Sequence, residues 1–133
     1  MLQSWCRSFR SERVNLRMPS TAFFSWARSI MDRIFARDPL VLVARDDEDP
    51  IFVYGWICAE RIDDAFVGHY LYCKRPFREQ GIARALLIEA LGRLGGSRLV
   101  YSHECSGMRD KLAAMGFEKQ PVAVLLRRPR EAA

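Results

Sequence analysis

Lysine is scarce in this chain: arginine supplies 18 of the 21 basic residues. Cysteine is sparse as well. Cys6, Cys58, Cys73 and Cys105 are widely spread, and no C-x-x-C pair occurs. That pattern excludes a disulfide framework and reads as reduced thiols. His69 with Cys73, on one strand face, and His103 with Cys105 are the pairs to weigh as metal ligands. Their spacing fits no zinc template, so no metal is expected. No apolar run approaches the ~18 residues that cross a bilayer. The opening MLQSWCRSFRSERVN is charged and has no apolar stretch, which argues against a secretory signal. A cytoplasmic protein without a membrane partner is expected.

With 133 residues, half of them apolar, the chain suits a single domain spanning residues 1–133 around a real core. Its net charge of +5 is unevenly laid out. Residues 1–37 carry seven arginines against Glu12 and Asp32, whereas residues 46–64 carry seven acids against Arg61. The C-terminus closes on Arg127, Arg128 and Arg130. Such basic stretches suit nucleic acid or an anionic cofactor, or simply a solvated arginine-rich surface.

Residues 2–10 read as a short helix with Leu2, Trp5, Cys6 and Phe9 on one side. Ser20 or Thr21 can cap a second helix to about Arg37, ended by Asp38-Pro39. Three apolar runs follow, at 40–45, 51–59 and 65–74, with Gly55 marking a bulge in the middle one. The short turns between them, DDEDP and Glu60 to Asp64, imply an antiparallel meander. Residues 81–94 form an amphipathic helix with Ala83, Leu86, Leu87, Ala90, Leu91 and Leu94 on one face, stopped by Gly95-Gly96. A strand at 98–102, a helix from a Ser106 cap to Met115 and a last strand at 122–126 complete the order. The strand–helix–strand unit implies a right-handed crossover between parallel strands.

The most specific stretch is Tyr70 to Leu94, where Arg78-Glu79-Gln80-Gly81-Ile82-Ala83 joins a strand to the central helix. Backbone N–H groups from Glu79 to Arg84 would converge on one point at the positive end of the helix, a place that suits phosphate. Gly81 permits close backbone approach and Ala83 keeps the helix start small. Arg78 and Arg84 would add charge-assisted contacts.

This Arg78-x-x-Gly81-x-Ala83 pattern, in its place in the order of elements, resembles the signature of the GNAT superfamily of N-acetyltransferases. The segment KLAAMGF, residues 111–117, is similar to the family's late helix with its Gly-Phe ending. The resemblance covers about residues 2–127. More narrowly, the chain resembles short GNAT-like proteins of bacteriophages and prophages. The resemblance implies an α/β fold with a mixed sheet: an antiparallel meander, then a parallel β-α-β unit whose central strands splay, shortened at both termini. It implies an acyl-CoA-dependent N-acyltransferase, with acetyl-CoA or another acyl-CoA as cofactor and an amine as acceptor. The pyrophosphate would lie on residues 78–84, namely Arg78, Glu79, Gln80, Gly81, Ile82, Ala83 and Arg84. Backbone groups of Leu71 and Cys73 would bond the pantetheine arm.

Acyl transfer needs a neutral amine, so a base must take a proton, and the leaving thiolate benefits from an acid. His69, mid-strand before the signature, is the first candidate base, since imidazole titrates near ~6.5. Glu60 is the second, and His103 and Glu104 are further candidates. The tyrosine acid common in the family would fall at Leu112, and a frequent asparagine at Cys105. Tyr70 or Tyr72 would then substitute as the acid. Cys105 as an acyl-accepting nucleophile has no evident adjacent base. Exposed sheet edges suit a homodimer. Two alternative readings remain: a phage protein that binds or modifies nucleic acid, and an inactive GNAT-fold interaction module.

Overall fold

Apolar residues three and four apart make the first described helix. In α1 (Ser20–Ala36), Ala27, Ile30, Met31 and Ile34 form one buried stripe. Arg37 and Asp38 close it with backbone bonds to Ile34 and Phe35, and Asp38 turns out at φ 54° ahead of Pro39. The computed structural model describes residues 20–102, 109–121 and 125–126, the side chains of 20–24 and 109 excepted. The expected helix at 2–10, the cap at Ser106, His103, Glu104, Cys105 and the C-terminal arginines lie outside them. So do the side chains of Ser20 and Thr21.

The meander forms as expected. It comprises β1 (Leu40–Arg45), β2 (Val53–Ile62) and β3 (Ala65–Cys73), paired antiparallel in that order. Asp46 builds the first turn, its Oδ1 accepting the N–H groups of Glu48 and Asp49 at 2.9 and 3.0 Å. The Tyr54 hydroxyl donates to its Oδ2 and, with those amides, holds the carboxyl below its ordinary pKa. The middle strand lies later than the 51–59 run: Ile51 and Phe52 belong to the turn and are exposed, and the strand continues to Ile62. Only Asp63 and Asp64 make the second turn, Asp63 at φ 52°. Glu60 is therefore interior to β2.

Two extra residues interrupt the pairing. Ala44 faces Gly55 but Arg45 faces Val53, so the bulge residue is Tyr54, not Gly55. Gly55 answers to a different constraint, because a Cβ there would sit 2.4 Å from the Tyr72 carbonyl oxygen. Gly55→Ala should cost about 1–3 kcal/mol through overpacking, read as a lowered thermal midpoint by circular dichroism. An unchanged midpoint would contradict the close approach. The second bulge falls on β3. Cys58 faces Tyr70 and Ala59 faces Gly68, which leaves His69 as the extra residue.

After β3 the chain runs through α2 (Ile82–Leu94) into β4 (Arg98–Tyr101), which pairs parallel to β3 from Ala65–Arg98 to Gly68–Tyr101. The start of β4 is fastened to the β2–β3 turn: the Asp64 carbonyl accepts the N–H groups of Ser97 and Arg98 at 2.7 and 3.2 Å. Arg98 also pairs with Glu118 at 2.5 Å. Then come α3 (Arg109–Ala114) and β5 (Phe117–Lys119), parallel to β4. The sheet order is β1-β2-β3-β4-β5.

Among the described residues the last strand is thus Phe117–Lys119, and the expectation of a strand at 122–126 is corrected at Leu125 and Leu126. Gly116, at φ 87°, turns α3 straight into β5. Phe117 buries its ring near Phe66, 6.1 Å between centroids. Leu125 is helical and Leu126 lies in a turn. Leu125 packs with Ile62, Ala65, Val67 and Val100. Residues 122–124 lie outside the described part.

The sheet separates two cores. On one face α1 covers Trp56, Cys58 and Tyr70. On the other α2 covers Ile57, Ala59, Phe66 and Tyr101, joined by Leu112 and Phe117. Among the described residues no helix is long and apolar enough to cross a membrane.

Candidate functional site

The turn between β3 and α2 is fixed from both sides. Arg75–Phe77 form one 3-10 turn, and Arg78 Nε donates to the Cys73 carbonyl at 3.0 Å, pinning the loop to the end of β3. Phe77 packs edge-on against Tyr54 and Phe52, at 4.7 and 5.6 Å between centroids. Lys74 Nζ lies 5.0 Å above the Phe52 ring. These aromatic anchors escaped sequence reasoning. The available signal was Phe77 immediately upstream of Arg78, with Phe52 and Tyr54 in the acidic turn's continuation.

Glu79 at φ 68° and Gly81 at φ 81° then swing the chain into the helix. Gly81 is the N-cap residue, and no side chain caps the helix. The first helical bond runs from Ala85 N–H to the Gly81 carbonyl at 2.9 Å. The amides of Ile82, Ala83 and Arg84 therefore precede any bond of the helix's own ladder. A Cβ on Gly81 would meet nothing within 4 Å, so the space above the turn is open. An uncapped helix start with a left-handed glycine and open space over it fits a phosphate group. The residues expected there, Arg78 to Arg84, run through this turn into the helix, and Arg78 spends its Nε on the Cys73 carbonyl.

A second cluster lies deeper in the sheet. Glu60 Oε1 and Oε2 accept from Arg37 Nε at 2.9 and 3.1 Å. Glu60 Oε1 also lies 3.2 Å from His69 Nε2, and His69 Nδ1 lies 3.1 Å from Ser102 Oγ. Glu60, His69 and Ser102 are all buried. The two leading base candidates are thus one hydrogen-bonded pair, which sequence reasoning had treated separately. Arg37 and Ser102 were missed, because their partners are 23 and 33 residues away.

The bulge explains the geometry. Strict alternation would put Tyr70 opposite His69. The extra residue instead places His69 and Tyr70 both toward α1, with Leu71 toward α2 and Tyr72 toward α1 again. By the same alternation Cys73 faces away from His69, so the expectation that the two share a face is corrected. Cys73 Sγ instead lies 3.5 Å from the Phe77 carbonyl.

Burial raises the Cys73 thiol pKa, and burial with the Glu60 carboxylate nearby pushes that of Cys58 up to about 12. Neither described cysteine is poised as a nucleophile. Tyr70 is buried, its ring 4.7 Å from Trp56 and stacked on Tyr72 at 6.1 Å. Leu112, where a family acid would fall, is a core residue beside Phe117.

No family model matches the sequence, and no curated protein matches it. Solved structures do. The chain is similar to a Pyrococcus furiosus protein provisionally classed as an acetyl transferase. The TM-score is 0.61 at 16% identity, over 90% of this chain and 88% of that one. The fold is that of the GNAT acetyltransferases. A second GNAT-fold structure, the PaiA N-acetyltransferase of Thermoplasma acidophilum solved with coenzyme A, gives a TM-score of 0.53. Its identity is 19%, over 88% of this chain and 83% of that one. At such identities the likeness is one of fold.

Proposed function

We propose that the chain is an acyl-CoA-dependent N-acyltransferase that moves an acetyl or other acyl group directly to an amine, working as one domain over residues 1–133. The observation that carries this reading is the open, uncapped Gly81 turn at the β3–α2 junction of a GNAT fold. One of the similar structures was solved with coenzyme A. The backbone N–H groups from Glu79 to Arg84 would receive the pyrophosphate, with Arg78 and Arg84 supplying positive charge. Leu71 and Cys73, on the last stretch of β3, would offer backbone groups to the pantetheine amides. Bound acyl-CoA supplies the thioester.

The chain's own part is to hold that group and to handle the proton of the amine. His69, fixed on Glu60, is the base of this reading. Tyr70 walls the same face and is the donor to test after it.

Thermal unfolding with acetyl-CoA tests the reading. At 100 times the dissociation constant a ligand specific for the native state stabilises by about 2.7 kcal/mol. That should raise the midpoint by several degrees, followed by amide formation with a panel of amines. No shift at millimolar acetyl-CoA would overturn it.

A further inference from the structure

The chain Arg37–Glu60–His69–Ser102 crosses the sheet from the end of α1 through β2 and β3 to the residue after β4. Its hydrogen bonds have a direction. The Glu60 carboxylate accepts both Arg37 Nε–H bonds and, as a carboxylate, can only accept from His69. His69 Nε2 must then carry the proton. In a neutral imidazole Nδ1 is left as an acceptor, and its partner at 3.1 Å is the Ser102 hydroxyl. Ser102 has one proton and two acceptors in reach, His69 Nδ1 at 3.1 Å and the His69 carbonyl at 3.5 Å; it donates to the nearer, and its oxygen lone pairs point away from the imidazole.

The place of that oxygen matters. The described β3–β4 pairing ends at Gly68–Tyr101, with one further bond from Ser102 N–H to the Gly68 carbonyl at 3.1 Å. From there β3 runs five residues on, to Cys73 and the Gly81 turn. Five strand residues span about 16 Å. An arm anchored by its phosphates at Gly81 and laid along this stretch would run toward Ser102.

Building on the acyltransferase reading, we infer that Ser102 is a catalytic hydroxyl, the reaction-facing end of a proton relay whose base is His69. As the amine nitrogen bonds to the acyl carbon, its proton passes to Ser102 Oγ. The hydroxyl proton moves to His69 Nδ1 in the same step. The imidazolium is stabilised by Glu60, which Arg37 holds in place. The carbon–sulfur bond breaks, and the proton returns through Ser102 to the thiolate. Amine and thioester become amide and thiol with no other reactant. This assignment also accounts for Leu112: a relay that gives back the proton it took needs no separate acid from α3.

Two measurements test it on the full chain. The first needs no turnover. Proton-coupled nitrogen NMR has only His69 and His103 to assign. The inference requires His69 with its proton on Nε2, and Ser102→Ala should move the Nδ1 resonance and spare Nε2. A proton on Nδ1 overturns the relay whether or not an acceptor amine is known.

The second is kinetic. Ser102→Ala should lower kcat about 100-fold with the KM for acetyl-CoA within twofold, and Ser102→Thr should restore most of the loss. A folded Ser102→Ala protein with wild-type kcat overturns the inference and leaves the acyltransferase reading standing. A wild-type protein that neither binds acetyl-CoA nor acylates any amine overturns the reading, and this role of Ser102 falls with it.

Discussion

Glu60→Ala lowers the thermal midpoint by roughly 6 °C or more. The carboxylate is fully buried and serves two partners, Arg37 at 2.9 Å and His69 at 3.2 Å. The Arg37 side chain is itself 14% exposed. Removing one member of a buried charged pair costs about 3–5 kcal/mol, because the other charge keeps its desolvation and loses its counterion. One kcal/mol moves the midpoint of a domain of this size by roughly 2–8 °C. Against a total stability of about 5–15 kcal/mol, the loss takes much of the margin. Glu60→Gln should lose less, since the amide oxygen still accepts one bond. Circular dichroism melts and urea midpoints measure both variants. An alanine variant melting within 2 °C of wild type would mean that the cluster does not tie the elements together.

Gly81→Val has its largest effect on ligand binding. Its φ of 81° is unfavourable for a side chain, and left-handed backbone costs a non-glycine residue about 1–2 kcal/mol. Its chain neighbours apart, no described residue lies within 4 Å of the added Cβ, so that atom meets no clash in the free protein. The branched side chain would instead fill the open space over the helix start. The stabilisation by acetyl-CoA should vanish while the free protein loses only a few degrees.

Gly116 supplies the matched control. It has φ 87°, and a Cβ there also meets nothing within 4 Å, but it sits at the α3–β5 turn. Gly116→Val should cost similar stability and keep the acetyl-CoA response. Equal loss of response in both variants would take the phosphate role away from Gly81.

The sequence was informative where local pattern decides structure. LVLVAR gave β1 to the residue, since an apolar run between Pro39 and an acidic turn has little choice. The Gly81 turn was legible because glycine at a strand-to-helix junction has a local cause. The His69 bulge was not. It arises from pairing with β2, a non-local event, and no residue type at 69 announces it. From that one extra residue follow both the misplaced Cys73 and the unforeseen meeting of His69 with Glu60. The last strand was misplaced for a similar reason. VAVLL has strand-like composition, but the slot beside β4 was taken by the shorter Phe117–Lys119, delivered by the Gly116 turn. Arg37 and Ser102 were invisible as members of the cluster because each directly follows an element whose neighbours are set by the sheet.

The Asp64 carbonyl gives the molecule a mechanical asymmetry. It binds two successive amides at the root of β4, so β3 and β4 are riveted there by backbone. Beyond Gly68 the described tie is a side-chain one, Ser102 on His69. A side-chain bond yields to a rotamer change, and a backbone rivet does not. The two strands are therefore held by backbone as far as Gly68 and Ser102 and by a side chain past them. Past that point β3 continues to Cys73 and the Gly81 turn, and its described tie to β4 is one that a side chain can release.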